Sequence, residues 1–233
     1  MAQHLAPDDL LQEYAAGNLS EPLSLLVATH VVLSPQSRRT LRFYEDVGGA
    51  LLEESEPVPL ADDAFEAVMA RIEADAPVVA DGGTARAPAD DAERTRAALP
   101  EGVRIAADVP APLRDYLAGA AGTSAWRQRG GSVAELDLLP DVPGYKTRLL
   151  RIAAGAGIPQ HTHDGAEYTL VLEGSFTDAT GRYARGDVAV ADDEVTHQPV
   201  AGKECDCICL AVTDAPLKMT GPFGRILNYF VDM

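Results

Sequence analysis

The sequence predicts a multidomain α + β chain: an N-terminal helical bundle over residues 1–76, a linker over 77–109, and a C-terminal all-β jelly-roll barrel over 110–233. Three observations carry this expectation. Apolar residues recur at helical spacing through the first third of the chain. A stretch rich in Ala, Pro, Asp and Gly (Pro77 to Pro112) then breaks every period. From Trp126 onward the chain alternates short hydrophobic runs with turn residues, the rhythm of an antiparallel barrel.

Asp8 to Ala16 carries Leu10, Leu11 and Tyr14 on one helical face, and Gly17-Asn18 stops it. Ser20 is placed as an N-cap, with Glu21 and Pro22 in the first turn of a second helix running to about Leu33. Ser34-Pro35 restarts the chain into a third helix, Gln36 to Leu52, which tolerates Gly48-Gly49 at about 1 kcal/mol per glycine. Asp62 to Ala74 forms a fourth, with Phe65, Val68, Met69 and Ile72 in one stripe that suits either a core or a partner. A short helix is expected near Asp90 to Leu99, and ordered structure resumes at Pro110 to Leu117. The predicted strands are Ser132 to Leu139, Tyr145 to Ala153, Tyr168 to Leu172, Phe176 to Tyr183, Asp187 to Ala191, Thr196 to Val200, Asp206 to Val212 and Ile226 to Val231.

Charge excludes one class of partner. The formal net charge is −17, so the chain offers no basic face for phosphate and direct nucleic-acid binding is not expected. Residues 1–76 hold 14 Asp/Glu against 4 Lys/Arg, a net of −10, which either solubilises the helices or steers a basic protein partner. No apolar run spans a bilayer and no basic-then-apolar leader opens the chain, so a cytoplasmic protein without membrane contact is expected. The three cysteines, Cys205, Cys207 and Cys209, are too few and too close for a disulfide framework. On one strand they would share a face, as small barrel-filling side chains, as metal ligands or as a redox sensor.

The chemistry gathers around Gly155 to Gly174. His161 and His163 lie two apart and share a strand face, Asp164-Gly165 can turn the chain, and Glu167 opens the next strand. His197 follows the acidic loop Asp192-Asp193-Glu194. Imidazoles and a carboxylate suit a divalent metal with nitrogen and oxygen ligands. Gly155, His161, His163, Glu167 and Gly174 keep the spacing of the first cupin motif, and this stretch resembles it. The second motif is matched in part, by Gly186 and His197, with Asp192 and Glu194 where it has proline and glycine.

Upstream, His30 is followed at cysteine spacing by Ser34 and Ser37, with His4 near the N-terminus. This arrangement resembles the zinc-binding anti-sigma domain, with serine at both cysteine positions. Leu11 to Leu19, Val27-Ala28-Thr29-His30, Val47-Gly48-Gly49, Pro110 to Leu117 and Asp206 to Ala211 are similar to the ChrR family of anti-sigma factors. The resemblance implies a regulator whose residues 1–76 hold an extracytoplasmic-function sigma factor. Its cupin domain would sense singlet oxygen or organic hydroperoxides and carry zinc on His161, His163, Glu167 and His197. At the N-terminal site, hydroxyls replace thiolates beside His4 and His30, so zinc is expected to bind weakly or not at all. The rival class is a metal-dependent dioxygenase or isomerase of the cupin superfamily, which has no need of the helical leader.

Overall fold

The computed structural model describes residues 2–75, 109–123, 126–129, 131–215 and 217–219. Four helices precede the gap: α1 (Asp8–Ala15), α2 (Glu21–Leu33), α3 (Pro35–Glu53) and α4 (Ala64–Asp75). A fifth, α5 (Ala111–Thr123), leads into the strands. These are β1 (Arg127–Arg129), β2 (Val133–Asp137), β3 (Lys146–Ile152), β4 (His161–His163), β5 (Glu167–Glu173), β6 (Ser175–Thr177), β7 (Arg182–Ala184), β8 (Val188–Ala191), β9 (Val200–Ala201), β10 (Cys207–Thr213) and β11 (Leu217–Met219). They form a six-stranded sheet in the order β1-β2-β3-β10-β5-β8, a three-stranded sheet β7-β6-β9 and a pair β11-β4, all antiparallel.

Strands β5 and β10 of the six-stranded sheet are buried on both faces. Cross-strand partners share a side. Leu136 pairs with Leu149 and Leu149 with Leu210, and this layer with Leu170, Leu172 and Val212 packs against α2 and α5. The opposite layer, with Ile152, Val171, Cys207 and Cys209, faces the barrel interior. Double burial explains why β5 and β10 read as unbroken hydrophobic runs, where a sheet with one wet face would alternate.

Helix α2 supplies the outer cover. It is apolar around nearly its whole circumference, which suits a helix enclosed on all sides. Leu25, Leu26 and Val27 join Leu10, Leu11, Val109, Leu113 and Leu117 in one continuous core with the sheet. The N-terminal segment is stitched to the barrel as well: Val188 N–H donates to the His4 carbonyl at 2.9 Å. The buried Asp187 carboxylate accepts from the amides of Gln3, His4 and Ala184.

Several predicted elements need correction. The run Phe176 to Tyr183 is a hairpin of β6 and β7 and not one strand, because Asp178 accepts from Thr180 N–H at 2.8 Å and Gly181 N–H at 3.2 Å and closes the turn. Thr196 to Val200 pairs only at His197 and again from Val200, since Pro199 has no N–H to give a ladder. Cys205 precedes β10 and is exposed; only Cys207 and Cys209 are buried on the strand. The helix expected at Asp90 to Leu99 and the strand at Ile226 to Val231 lie outside the described residues. The stripe on α4 faces solvent, and residues 65–74 are exposed throughout.

Candidate metal centre

Strand β4 is three residues long, so His161 and His163 point to one side while Thr162 points to the other. His161 lies opposite His197, each donating its amide to the other's carbonyl at 3.0 Å. The backbone therefore brings two of the imidazoles together, their centroids 4.5 Å apart and their planes tilted by 59°. The glycine that ends the motif also has a structural reason. Gly174 takes φ 69° between β5 and β6, and a Cβ there would lie 2.4 Å from the Asp206 carbonyl oxygen.

All three imidazoles are buried. His161 Nδ1 lies 2.8 Å from the Pro159 carbonyl and His197 Nδ1 lies 2.9 Å from an Asp178 carboxylate oxygen. A carbonyl and a carboxylate only accept, so both Nδ1 atoms carry the proton and both Nε2 atoms are turned toward the centre of the cluster. The His197 Nε2 is 3.0 Å from His161 Nε2 and 3.2 Å from His163 Nε2. Burial, opposed by hydrogen bonding to Pro159 for His161 and by the Glu167 charge for His163, holds both rings below their ordinary pKa. They are therefore neutral near pH 7 and able to ligate. Neutral imidazoles whose lone pairs converge repel one another unless a cation or a proton sits among them. Metal–nitrogen bonds of about 2.0–2.1 Å at tetrahedral angles would set neighbouring nitrogens about 3.3 Å apart, close to what is seen. The donor set fits a divalent ion. Among the described residues, His161, His163 and His197 are the group of three or more such side chains whose ligand atoms gather within 4.8 Å.

Glu167 stands beside this group and not within it. Its Oε1 accepts from the Thr169 hydroxyl at 3.0 Å, and its Oε2 lies 3.8 Å from His163 Nδ1, a ring nitrogen that has no hydrogen-bond partner. Asp178 was missed by sequence reasoning, which ran a strand through it. Burial raises its pKa, yet the hydrogen bonds from Thr180 and His197 together pull it below the usual carboxylate value, so it stays ionised and orients His197. The turn composition Thr177-Asp178-Ala179-Thr180-Gly181 was the available clue.

The N-terminal candidates do not come together as a metal site. The His4 ring lies on Tyr183, with centroids 4.5 Å apart. His30 is fully buried; its Nδ1 is 3.0 Å from the Gly186 carbonyl, and its Nε2 is 2.7 Å from Ser37 Oγ and 3.3 Å from Ala6 N. The Ser34 hydroxyl in turn lies 3.2 Å from that of Ser37. The Nδ1 proton goes to Gly186, so Nε2 accepts, and the Ser37 hydroxyl fills the direction a metal would take. Burial, partly offset by Gly186 and Asp187, holds His30 below its ordinary pKa and therefore neutral. Neutral hydroxyls are weak ligands, and these residues do not fit zinc. They tie the helices to the turn before β8.

A small antiparallel barrel covered by a helical leader defines a cupin with an appended helical unit, and its buried three-histidine cluster could hold a metal ion. The sequence profile of the ChrR cupin-like domain matches residues 118–216. The anti-sigma-E factor ChrR of Cereibacter sphaeroides is 41% identical over 231 residues, covering 96% of this chain and 99% of that protein. A crystal structure of Rhodobacter sphaeroides SigE in complex with the anti-sigma ChrR superposes with a TM-score of 0.69 at 38% identity, covering 92% of this chain and 100% of that one. The chain belongs to the ChrR family of anti-sigma factors.

Proposed function

We propose that this protein holds an extracytoplasmic-function sigma factor inactive through its helical unit, residues 1–76, and releases it when the metal-bearing barrel meets an oxidant such as singlet oxygen or an organic hydroperoxide. One observation carries the first half. The end of α3, the connection after it and α4 expose Phe43, Leu51, Leu52, Leu60, Phe65 and Ile72, each 57% or more accessible. Such a run of apolar side chains, on α3 and on an acidic connection and α4, needs a partner. Helix α4 makes no substantial contact with any other described element, so its stripe is free to pack elsewhere. No described helix is long and apolar enough to cross a membrane.

For the second half, the reading assigns the ion to His161, His163 and His197, with Glu167 as the fourth ligand, and zinc as the metal. Such an ion would supply a fixed positive charge that ties β4, β5 and the segment bearing His197 together. Strand β5 carries Glu167, and the Val171 carbonyl on the same strand accepts from Gly186 N–H at 2.8 Å. Gly186 also accepts from His30 of α2. A displacement of Glu167 therefore has a short hydrogen-bonded route to the helices.

The test uses the full chain and an extracytoplasmic-function sigma factor from the same genome. Phe65→Glu with Ile72→Glu is expected to weaken capture at least a hundredfold while leaving the melting temperature unchanged. Glu167→Ala is expected to capture normally and to resist release by oxidant. Unaltered capture by the double variant would refute the surface, and normal release from Glu167→Ala would refute the sensor.

A further inference from the structure

We infer that His4 and Tyr183 are positioning residues of the metal centre: they hold the hairpin that carries Asp178, so metal occupancy and docking of the N-terminal segment on the barrel are linked. The inference rests on the metal reading above and extends it to residues outside the three-histidine cluster. His197 is oriented by Asp178, whose side chain is only 1% exposed and has little access to water. Asp178 takes its other bonds from its own turn: Thr180 N–H at 2.8 Å, Gly181 N–H at 3.2 Å and the Thr180 hydroxyl at 2.6 Å. That hydroxyl has one proton and a carboxylate only accepts, so the proton is committed to Asp178. The Tyr183 hydroxyl, 2.9 Å from Thr180 Oγ1, is therefore the donor in the next bond. The row from Tyr183 through Thr180 to Asp178 thus has a fixed sense, and it ends on His197 Nδ1 at 2.9 Å.

The N-terminal segment fastens this hairpin. Tyr183 is buried against two rings, Phe176 stacked at 5.0 Å and His4 tilted at 4.5 Å. His4 also lies over the turn itself, since a Cβ added to Gly181 would stand 3.6 Å from its Cε1. The His4 backbone is pinned on both sides: its N–H donates to the Asp187 carboxylate at 3.0 Å, and its carbonyl accepts from Val188 N–H at 2.9 Å. The other Asp187 oxygen accepts from Ala184 N–H at 2.8 Å, at the end of β7. One hairpin, β6–β7, is therefore held by His4 and in turn holds His197. When His197 is fixed in the cluster, Asp178 and its turn are fixed in the shape that Tyr183 and His4 fit. Reciprocity then requires that undocking the N-terminal segment lower metal affinity by the factor with which the metal strengthens docking.

The test is chelator competition for zinc on the full-length protein, with no sigma factor present. His4→Ala, which removes the ring and keeps the backbone bonds, and Tyr183→Phe, which removes only the hydroxyl, are each expected to weaken zinc binding about three- to tenfold. Both effects should vanish in an Asp178→Asn background, because His4 and Tyr183 act through that carboxylate; a general loss of stability would add instead. In the unaltered chain, zinc should slow amide exchange at His4 and Val188 at least about threefold relative to chelator-treated protein. This arm needs no substitution and carries the test if a variant fails to fold. The inference is overturned, with the metal reading left standing, by unchanged zinc affinity in either variant, by losses that add to that of Asp178→Asn, or by exchange at His4 and Val188 that zinc does not alter. A chain that takes up no zinc overturns both.

Discussion

Introducing two cysteines should convert the His30 network into a zinc site. In Ser34→Cys with Ser37→Cys, the three donor atoms start from positions already gathered: His30 Nε2 to Ser37 Oγ is 2.7 Å and Ser34 Oγ to Ser37 Oγ is 3.2 Å. A tetrahedral zinc with bonds of about 2.3 Å to sulfur needs its sulfurs about 3.8 Å apart, so the side chains must spread by only about 0.6 Å. His30 needs no reorientation, because Gly186 already holds Nδ1 at 3.0 Å and Nε2 faces residue 37, with the longer bond from Ala6 N–H at 3.3 Å to be given up. Four-ligand structural sites yield about 10–16 kcal/mol; with three protein ligands, about 8–12 kcal/mol is expected, an apparent Kd between about micromolar and nanomolar. At a hundredfold excess over Kd the bound ion adds about 2.7 kcal/mol of stability, or about 5–10 °C for a chain of this size. The assay is metal content per chain by elemental analysis, with melting curves with and without chelator, beside the unaltered protein. Unaltered chains should carry one metal and the double variant two, and adding His30→Ala should remove the second. Equal metal content in the unaltered and doubly substituted chains would refute the geometry argued for His30, Ser34 and Ser37.

Two further outcomes follow from the same structure. Asp178→Asn removes the charge that orients His197, whose Nδ1 it holds at 2.9 Å, and should weaken barrel metal affinity about 10–100-fold in chelator competition without unfolding the chain; undiminished affinity would contradict the assigned orientation. The pH dependence of the chelator-treated protein is set by His30, His161 and His163, whose folded pKa values burial places below the ordinary 6.5. The unfolded chain then binds protons first as pH falls, so stability present above about 6.5 is lost through the folded pKa values, by up to about 1.4 kcal/mol per pH unit per histidine. Urea midpoints from pH 8 to 5 should fall accordingly; a flat profile would rule out three neutral buried histidines.

The local sequence was enough for what depends on short spacings. The His-x-His pair was legible because a strand puts alternate side chains on one side, and β4 needs only three residues to do so. Helix α1 was legible from its apolar period, α2 from its Ser20 cap and Pro22, α3 from the Ser34-Pro35 break, and Ser34 and Ser37 from their distance to His30. What only the tertiary structure decided lies between residues far apart in the chain. Asp178 behind His197, Arg148 on Glu135 and Gly186 beside His30 are partners by virtue of sheet register and helix docking, and no periodicity encodes them. The same holds for the apolar side chains of two helices. Leu25 and Leu26 on α2 met the sheet and became core, while Phe65 and Ile72 on α4 met solvent. An amphipathic pattern specifies that a face must be covered, and the packing of the whole chain decides by what.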